Sequence, residues 1–287
     1  MRSPPSSFAF ALLLLGAAAC SSTEATPGAP AGVVGGEEAG VEQDPAGDPG
    51  DGGLREDAPS GDGAAAGTPP TGDILGTASG ACGGLLKDEL TAATPSLQNN
   101  LLVFAAGETY EKASLSPGGQ TLFDTPNAGG SSTESEAMSF EMLHHCDGAK
   151  LLKTETQILY QPPSTTAPNT ISDILVEIDG KKVGVSVTRV YKPASQPPMT
   201  DDAVKALLEK KLVGIKRSSE RVLPQDKWVK QVLHVFTVNK VGTDAVARVL
   251  KNISAADRAD TIVLVTQTTG GGFVFCHPLP PLGSECP

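Results

Sequence analysis

The chain has 287 residues, a formal net charge of −11, 39% hydrophobic residues and only 4% aromatic ones. The charge is uneven: residues 1–75 carry 11 acids against 2 bases, which leaves the remainder with a net of −2. This balance excludes a folded part that repels polyanions through its overall field, and the absence of a later apolar run beyond strand length excludes a bundle of membrane-spanning helices.

Met1-Arg2 gives a positive start, Phe8–Leu15 an apolar core, and Gly16-Ala17-Ala18-Ala19 a run of small residues before Cys20. A charged start, a short apolar run and small residues at the cut describe a secretory signal peptide. Ala17-Ala18-Ala19-Cys20 resembles the lipobox of bacterial lipoproteins, with Ala17 where the family usually has Leu. The resemblance implies removal of residues 1–19, acylation of Cys20 and attachment to the lipid bilayer through it. Ser21 in place of Asp resembles an outer-membrane address in the cell envelope.

Residues 20–75 form the lipidated end and an acidic linker rich in Gly, Ala and Pro, with no aromatic residue. Such a segment cannot bury enough apolar surface to offset the entropy of ordering it, so a disordered tether is expected. As a flexible coil it would span about 40 Å. Residues 76–130, with Leu101-Leu102-Val103-Phe104, read as an irregular extension of the domain.

Residues 131–287 read as an α/β (α+β) domain, a mixed central sheet flanked by helices. Ser132–Cys146 has a helix start, with Glu134 and Glu136 in its first turn, and Asp147-Gly148 ends it. Leu151–Tyr160 reads as a strand. Ser172–Ile178 and Lys182–Arg189 flank Asp179-Gly180, a strong hairpin signal. After Thr200, residues Val204, Leu207, Leu208, Leu212 and Ile215 share one helical face. Gln231–Val238 is a strand, Thr243–Asn252 a helix and Thr261–Thr266 a strand, and Phe273–Phe275 is expected as a last short strand.

Setting Cys20 aside leaves four cysteines in an exported chain, which favours disulfides. Cys276 and Cys286 close a small Pro-rich loop and are the preferred pair, leaving Cys82 with Cys146. The competing reading is zinc, because His144, His145 and Cys146 adjoin, as do Cys276 and His277. Neighbouring residues on a helix point about 100° apart, however, and no CxxC or HxxxH spacing exists. No metal site and no cofactor are assigned, and His234 reads as an ordinary strand residue.

The order α-β-β-β-α-β-α-β resembles the PD-(D/E)xK, restriction-endonuclease-like fold, over about Ser132 to Thr266. In active members an Asp on the second strand and an acidic-x-Lys on the third hold magnesium and activate water. The resemblance puts Asp173 at the first position and Ser186 and Thr188 at the other two, so the second carboxylate and the lysine are missing. Displaced substitutes would have to come from Glu177, Arg189, Glu136 or Glu141. The run Lys205 to Lys230 holds Lys205, Lys210, Lys211, Lys216, Arg217, Arg221, Lys227 and Lys230 against three acids, and reads as the solvated side of a helix rather than a nucleic-acid surface. The sequence therefore describes a membrane-anchored envelope lipoprotein with a non-catalytic, nuclease-like domain in a binding or scaffolding role. The alternative is a metal-dependent nuclease with migrated catalytic residues.

Overall fold

The structure is a computed structural model that describes residues 75–82, 84–106, 108, 110–126, 133–162, 170–193 and 195–276. The segment read as a signal peptide, Cys20, nearly all of the segment read as a linker, and Cys286 lie outside them. The described residues all fall within one compact unit, residues 60–287.

A mixed seven-stranded sheet runs in the order β1-β2-β7-β6-β5-β4-β3. The strands are β1 (Thr77–Gly80), β2 (Ser96–Val103), β3 (Lys150–Thr154), β4 (Ile174–Ile178), β5 (Lys181–Val190), β6 (Lys230–Thr237) and β7 (Ile262–Thr269). β3, β4 and β5 form an antiparallel meander, whereas β5, β6, β7 and β2 are parallel. Asp179 and Gly180 both take positive φ, 50° and 71°, the geometry of a tight hairpin turn whose twist matches its strands.

Helices α1 (Leu85–Glu89), α2 (Pro117–Asp124) and α3 (Thr133–Asp147) contribute to the core on one face of the sheet. α4 (Asp201–Arg221) and α5 (Lys240–Leu250) cover the other, and α6 (Ala255–Arg258) is a single turn before β7. α4 buries Val204, Leu208, Leu212 and Ile215 of the expected stripe and leaves Leu207 half-buried, and Thr200 caps it by accepting the Ala203 N–H. α3 is buried on nearly all sides, so its apolar residues show little periodicity.

Three expectations need correction. The segment 76–130, expected to be irregular, carries regular elements among its described residues: β2 lies inside the sheet, pairing with β7 over eight positions, and β1 closes that edge. β3 stops at Thr154, whose N–H donates to Gln157 Oε1 at 3.1 Å across a short helical turn, so only part of Leu151–Tyr160 is strand. Phe273 and Val274 lie in a helical turn, Gly272–Val274, and Phe273 packs on Phe104 and Tyr110, with centroids 5.0 and 4.5 Å apart.

His234 sits wholly inside the core. Its Nδ1 lies 2.8 Å from Ser139 Oγ and its Nε2 2.7 Å from Thr266 Oγ1, so both nitrogens are satisfied without charge. Burial pulls its pKa from 6.5 down to about 3. Above pH 6.5 the imidazole is neutral in both states. Between 6.5 and 3 only the unfolded chain takes the proton, so stability is lost as pH falls. The slope from this group approaches 1.4 kcal/mol per pH unit. Urea unfolding followed by Trp228 emission between pH 6.5 and 5 should show that slope, and His234→Gln should lack it.

Candidate functional site

The face of β4 and β5 turned toward α4 carries the three positions singled out by the resemblance. Leu175 pairs with Gly184 and Ile174 with Val185, so Asp173, Gly184, Ser186 and Thr188 share one face while Val183, Val185 and Val187 enter the opposite core. The structure thus brings Asp173, Ser186 and Thr188 to one sheet surface.

It also shows what occupies that surface. Asp173 donates its N–H to Val185 O at 3.0 Å, and its Oδ2 accepts the Val187 N–H at 2.5 Å. The carboxylate therefore extends the ladder just before β4 begins. Lys211 reaches in from α4 and donates to Val187 O at 2.8 Å, placing an ammonium beside the acid. Burial raises the Asp173 carboxyl above the usual range, while Lys211 and the Val187 N–H pull it down. Ser186 and Thr188 are buried, and toward the hairpin Trp228 closes the face. A Cβ added to Gly184 would come within 2.8 Å of its indole.

The loop bearing Trp228 is held by a neighbouring acid. Asp226 Oδ2 accepts from Lys153 Nζ and from the Leu159 N–H, both at 2.8 Å. Burial alone would raise this carboxyl, but those bonds outweigh it and hold it below the ordinary range.

The displaced acids do not assemble around Asp173. Glu177 shares its face but lies four residues along β4, about 13 Å away at strand rise, with Lys150 Nζ at 3.6 Å. Glu136 and Glu141 belong to α3, across the sheet, where Glu141 Oε1 accepts from the Ser116 hydroxyl and N–H at 2.6 and 3.1 Å. Arg189 also faces that side and donates to Phe275 O at 2.9 Å. Among the described residues no three His, Cys, Asp or Glu side chains could hold a metal ion together. A cavity of about 390 Å³ lies farther on, at the carboxyl ends of β5 and β6, but its lining includes none of Asp173, Ser186 or Thr188.

Lys211 is the residue that sequence reasoning did not place. A signal was present: Val204, Lys211 and Ser218 are seven apart, on the buried stripe of α4. The other bases of that run scatter. Lys230 is buried and donates to Ala92 O, Lys205 pairs with Glu209, and Lys210 and Lys216 are exposed.

Cys82 and Cys146 form a disulfide, joining the segment after β1 to the end of α3. Cys146 is thereby removed as a zinc ligand, and the Nδ1 of His144 is engaged 2.7 Å from Ala149 O. Cys276 is also disulfide-bonded, to a partner outside the described residues.

The architecture is that of an α/β domain with helices on both faces of a mixed sheet, and no protein-family model matches the chain. A stretch of 167 residues, 56% of the chain, is 40% identical to the AAC-rich mRNA clone AAC4 protein of Dictyostelium discoideum, of which the match spans only 24%. The solved structure of Pyrococcus furiosus SfsA in complex with Ca2+ aligns with 50% of this chain and 69% of its own at 14% identity. Its TM-score of 0.25 is too low to carry an argument.

Two outcomes follow from these contacts. An Asp173 oxygen accepts the Val187 N–H, a bond that the amide oxygen of asparagine can replace and alanine cannot. Asp173→Ala should lower unfolding free energy by about 1–3 kcal/mol by orphaning the Val187 N–H, and Asp173→Asn by much less, as read from urea midpoints. Replacing Cys82 and Cys146 together by serine should cost about 4 kcal/mol, from a loop spanning 64 positions, measured the same way.

Proposed function

We propose that this chain is a lipid-anchored envelope protein whose domain has a nuclease-like order of elements and acts by binding, without cleavage. The observation that carries the non-catalytic reading is the state of the Asp173 face. Its one carboxylate completes a strand ladder, the two companion positions hold buried hydroxyls, and α4 and Trp228 cover the surface a scissile phosphate would need. A magnesium ion there would have a single carboxylate and little room for its waters. The anchoring part rests on the Ala17-Ala18-Ala19-Cys20 segment.

A second reading has one observation in its favour. Lys211 supplies an ammonium beside Asp173 from a helix, and a carboxyl raised by burial next to a lysine is a common mark of a working site. On that reading the domain is a metal-dependent nuclease with a migrated lysine.

Incubating the full-length chain with DNA and RNA in magnesium or manganese separates the two. No cleavage is expected from the wild type. Metal-dependent cleavage lost in both Asp173→Ala and Lys211→Ala would establish the nuclease instead. For the anchor, intact mass of protein from membranes should show loss of residues 1–19 and added acyl chains, and Cys20→Ser should abolish both. An unmodified mature N-terminus would remove the lipoprotein reading.

A further inference from the structure

The cavity of about 390 Å³ at the carboxyl ends of β5 and β6 lies between the first turns of α4 and α5, and the loop from Tyr191 to Thr200 walls its third side. Its size falls within the roughly 300–1,000 Å³ of pockets that take small molecules. The floor is apolar and belongs to the core on that face of the sheet: Val190, Val204 and Ala245 line it, each at most 5% exposed. Val241 stands at the rim, 64% exposed, more than any other large apolar side chain among the described residues. Pro193 and Pro198 stiffen the loop, and the Gln196 N–H donates to Pro193 O at 2.8 Å, so the space is held open before anything enters it.

Charge narrows the ligand. Asp201 is the only acid among the described lining residues, and Arg248 donates to both of its oxygens, at 2.9 and 3.1 Å. That pair ties α4 to α5 and leaves no net charge. Lys192 also lines the cavity; it is exposed and belongs to none of the ion pairs among the described residues. The amino end of α5 adds to its charge. Asn239 caps that helix, Val241 and Gly242 line the cavity, and no acid in the first turn offsets the helix dipole. An apolar floor beneath a positively charged rim suits a molecule with an apolar body and one anionic end, and repels a cationic one.

We propose that this cavity binds a small anionic amphiphile, a free carboxylate carrying an apolar chain. The chain lies on Val190, Val204 and Ala245, and the carboxylate meets Lys192 at the rim, so burial supplies affinity and the charge fixes orientation. The site is separate from the Asp173 face and rests on neither the anchoring nor the nuclease reading.

The probe is decanoate, titrated calorimetrically into the full-length chain below the concentration at which decanoate aggregates. Saturable one-to-one binding is expected. Decylamine, with the same chain and a cationic head, should bind at least tenfold more weakly. Lys192→Glu should weaken decanoate binding at least tenfold; the position is exposed, so Trp228 emission should stay unchanged and report an intact fold. Decanoate carrying a diazirine at its chain end should label peptides from Val190–Val204 or Val238–Arg248 in the wild-type chain, which locates the site without any substitution. The proposal is overturned if no saturable binding is seen, if decylamine binds as tightly, if Lys192→Glu binds as the wild type does, or if the label falls elsewhere. Phosphatidylglycerol vesicles that capture the Cys20→Ser chain when decanoate does not bind would also overturn it, by making a bilayer surface the partner.

Discussion

The fourth strand of seven, β6, is buried along its whole length, and the rest of the domain is arranged around satisfying what it carries. Four of its eight residues are polar. Lys230 finds Ala92 O and, at 3.7 Å, Asp260; Gln231 Nε2 reaches Ile215 O, although its Oε1 has no hydrogen-bond partner among the described residues; His234 bridges Ser139 and Thr266; Thr237 meets Thr243. An unmatched polar group at that depth would cost about as much as a well-packed core side chain contributes. The partners come from the segment before β2, from α3, α4 and α5 and from β7. The polar groups of one strand therefore set where its neighbours must lie, in a way that interchangeable apolar contacts do not.

The same principle accounts for the contacts on the Asp173 face. A carboxylate at the start of a strand can hold a cation or finish a hydrogen-bond ladder. Here the ladder has taken it, and Lys211 answers a backbone carbonyl rather than open solvent. Ser186 and Thr188 are small enough to pack under α4, where an acid and a lysine would each have to be solvated or paired.

Much of the fold was legible because its signals are local. The Asp179-Gly180 hairpin, the apolar stripe of α4 and the alternation of Val183, Val185 and Val187 appear where periodicity and turn chemistry place them. β2 was not legible. Ser96-Leu97-Gln98-Asn99-Asn100 has the composition of a loop, and it becomes a strand only because β7 presents a free edge beside it. Phe273–Phe275 failed the other way: a strand-like composition turned over by Gly271 at φ 66° and packed on Phe104 and Tyr110. In the candidate site, Asp173, Ser186 and Thr188 could be placed by strand parity. Lys211 could not, since helix spacing alone does not reveal which strand faces it.

The pairing of β2 with β7 also bears on when this molecule becomes itself. Ser96 lies beside Ile262 and Val103 beside Thr269, each pair 166 positions apart. A chain emerging from the ribosome has β1 and β2 in hand while β7, the partner on the other side of β2, has still to be made. Contacts of that span form slowly because a long loop must close before they are rewarded. The domain is thus a clasp whose two halves are made 166 residues apart, and until the later half arrives the earlier one remains open to whatever keeps nascent chains from folding.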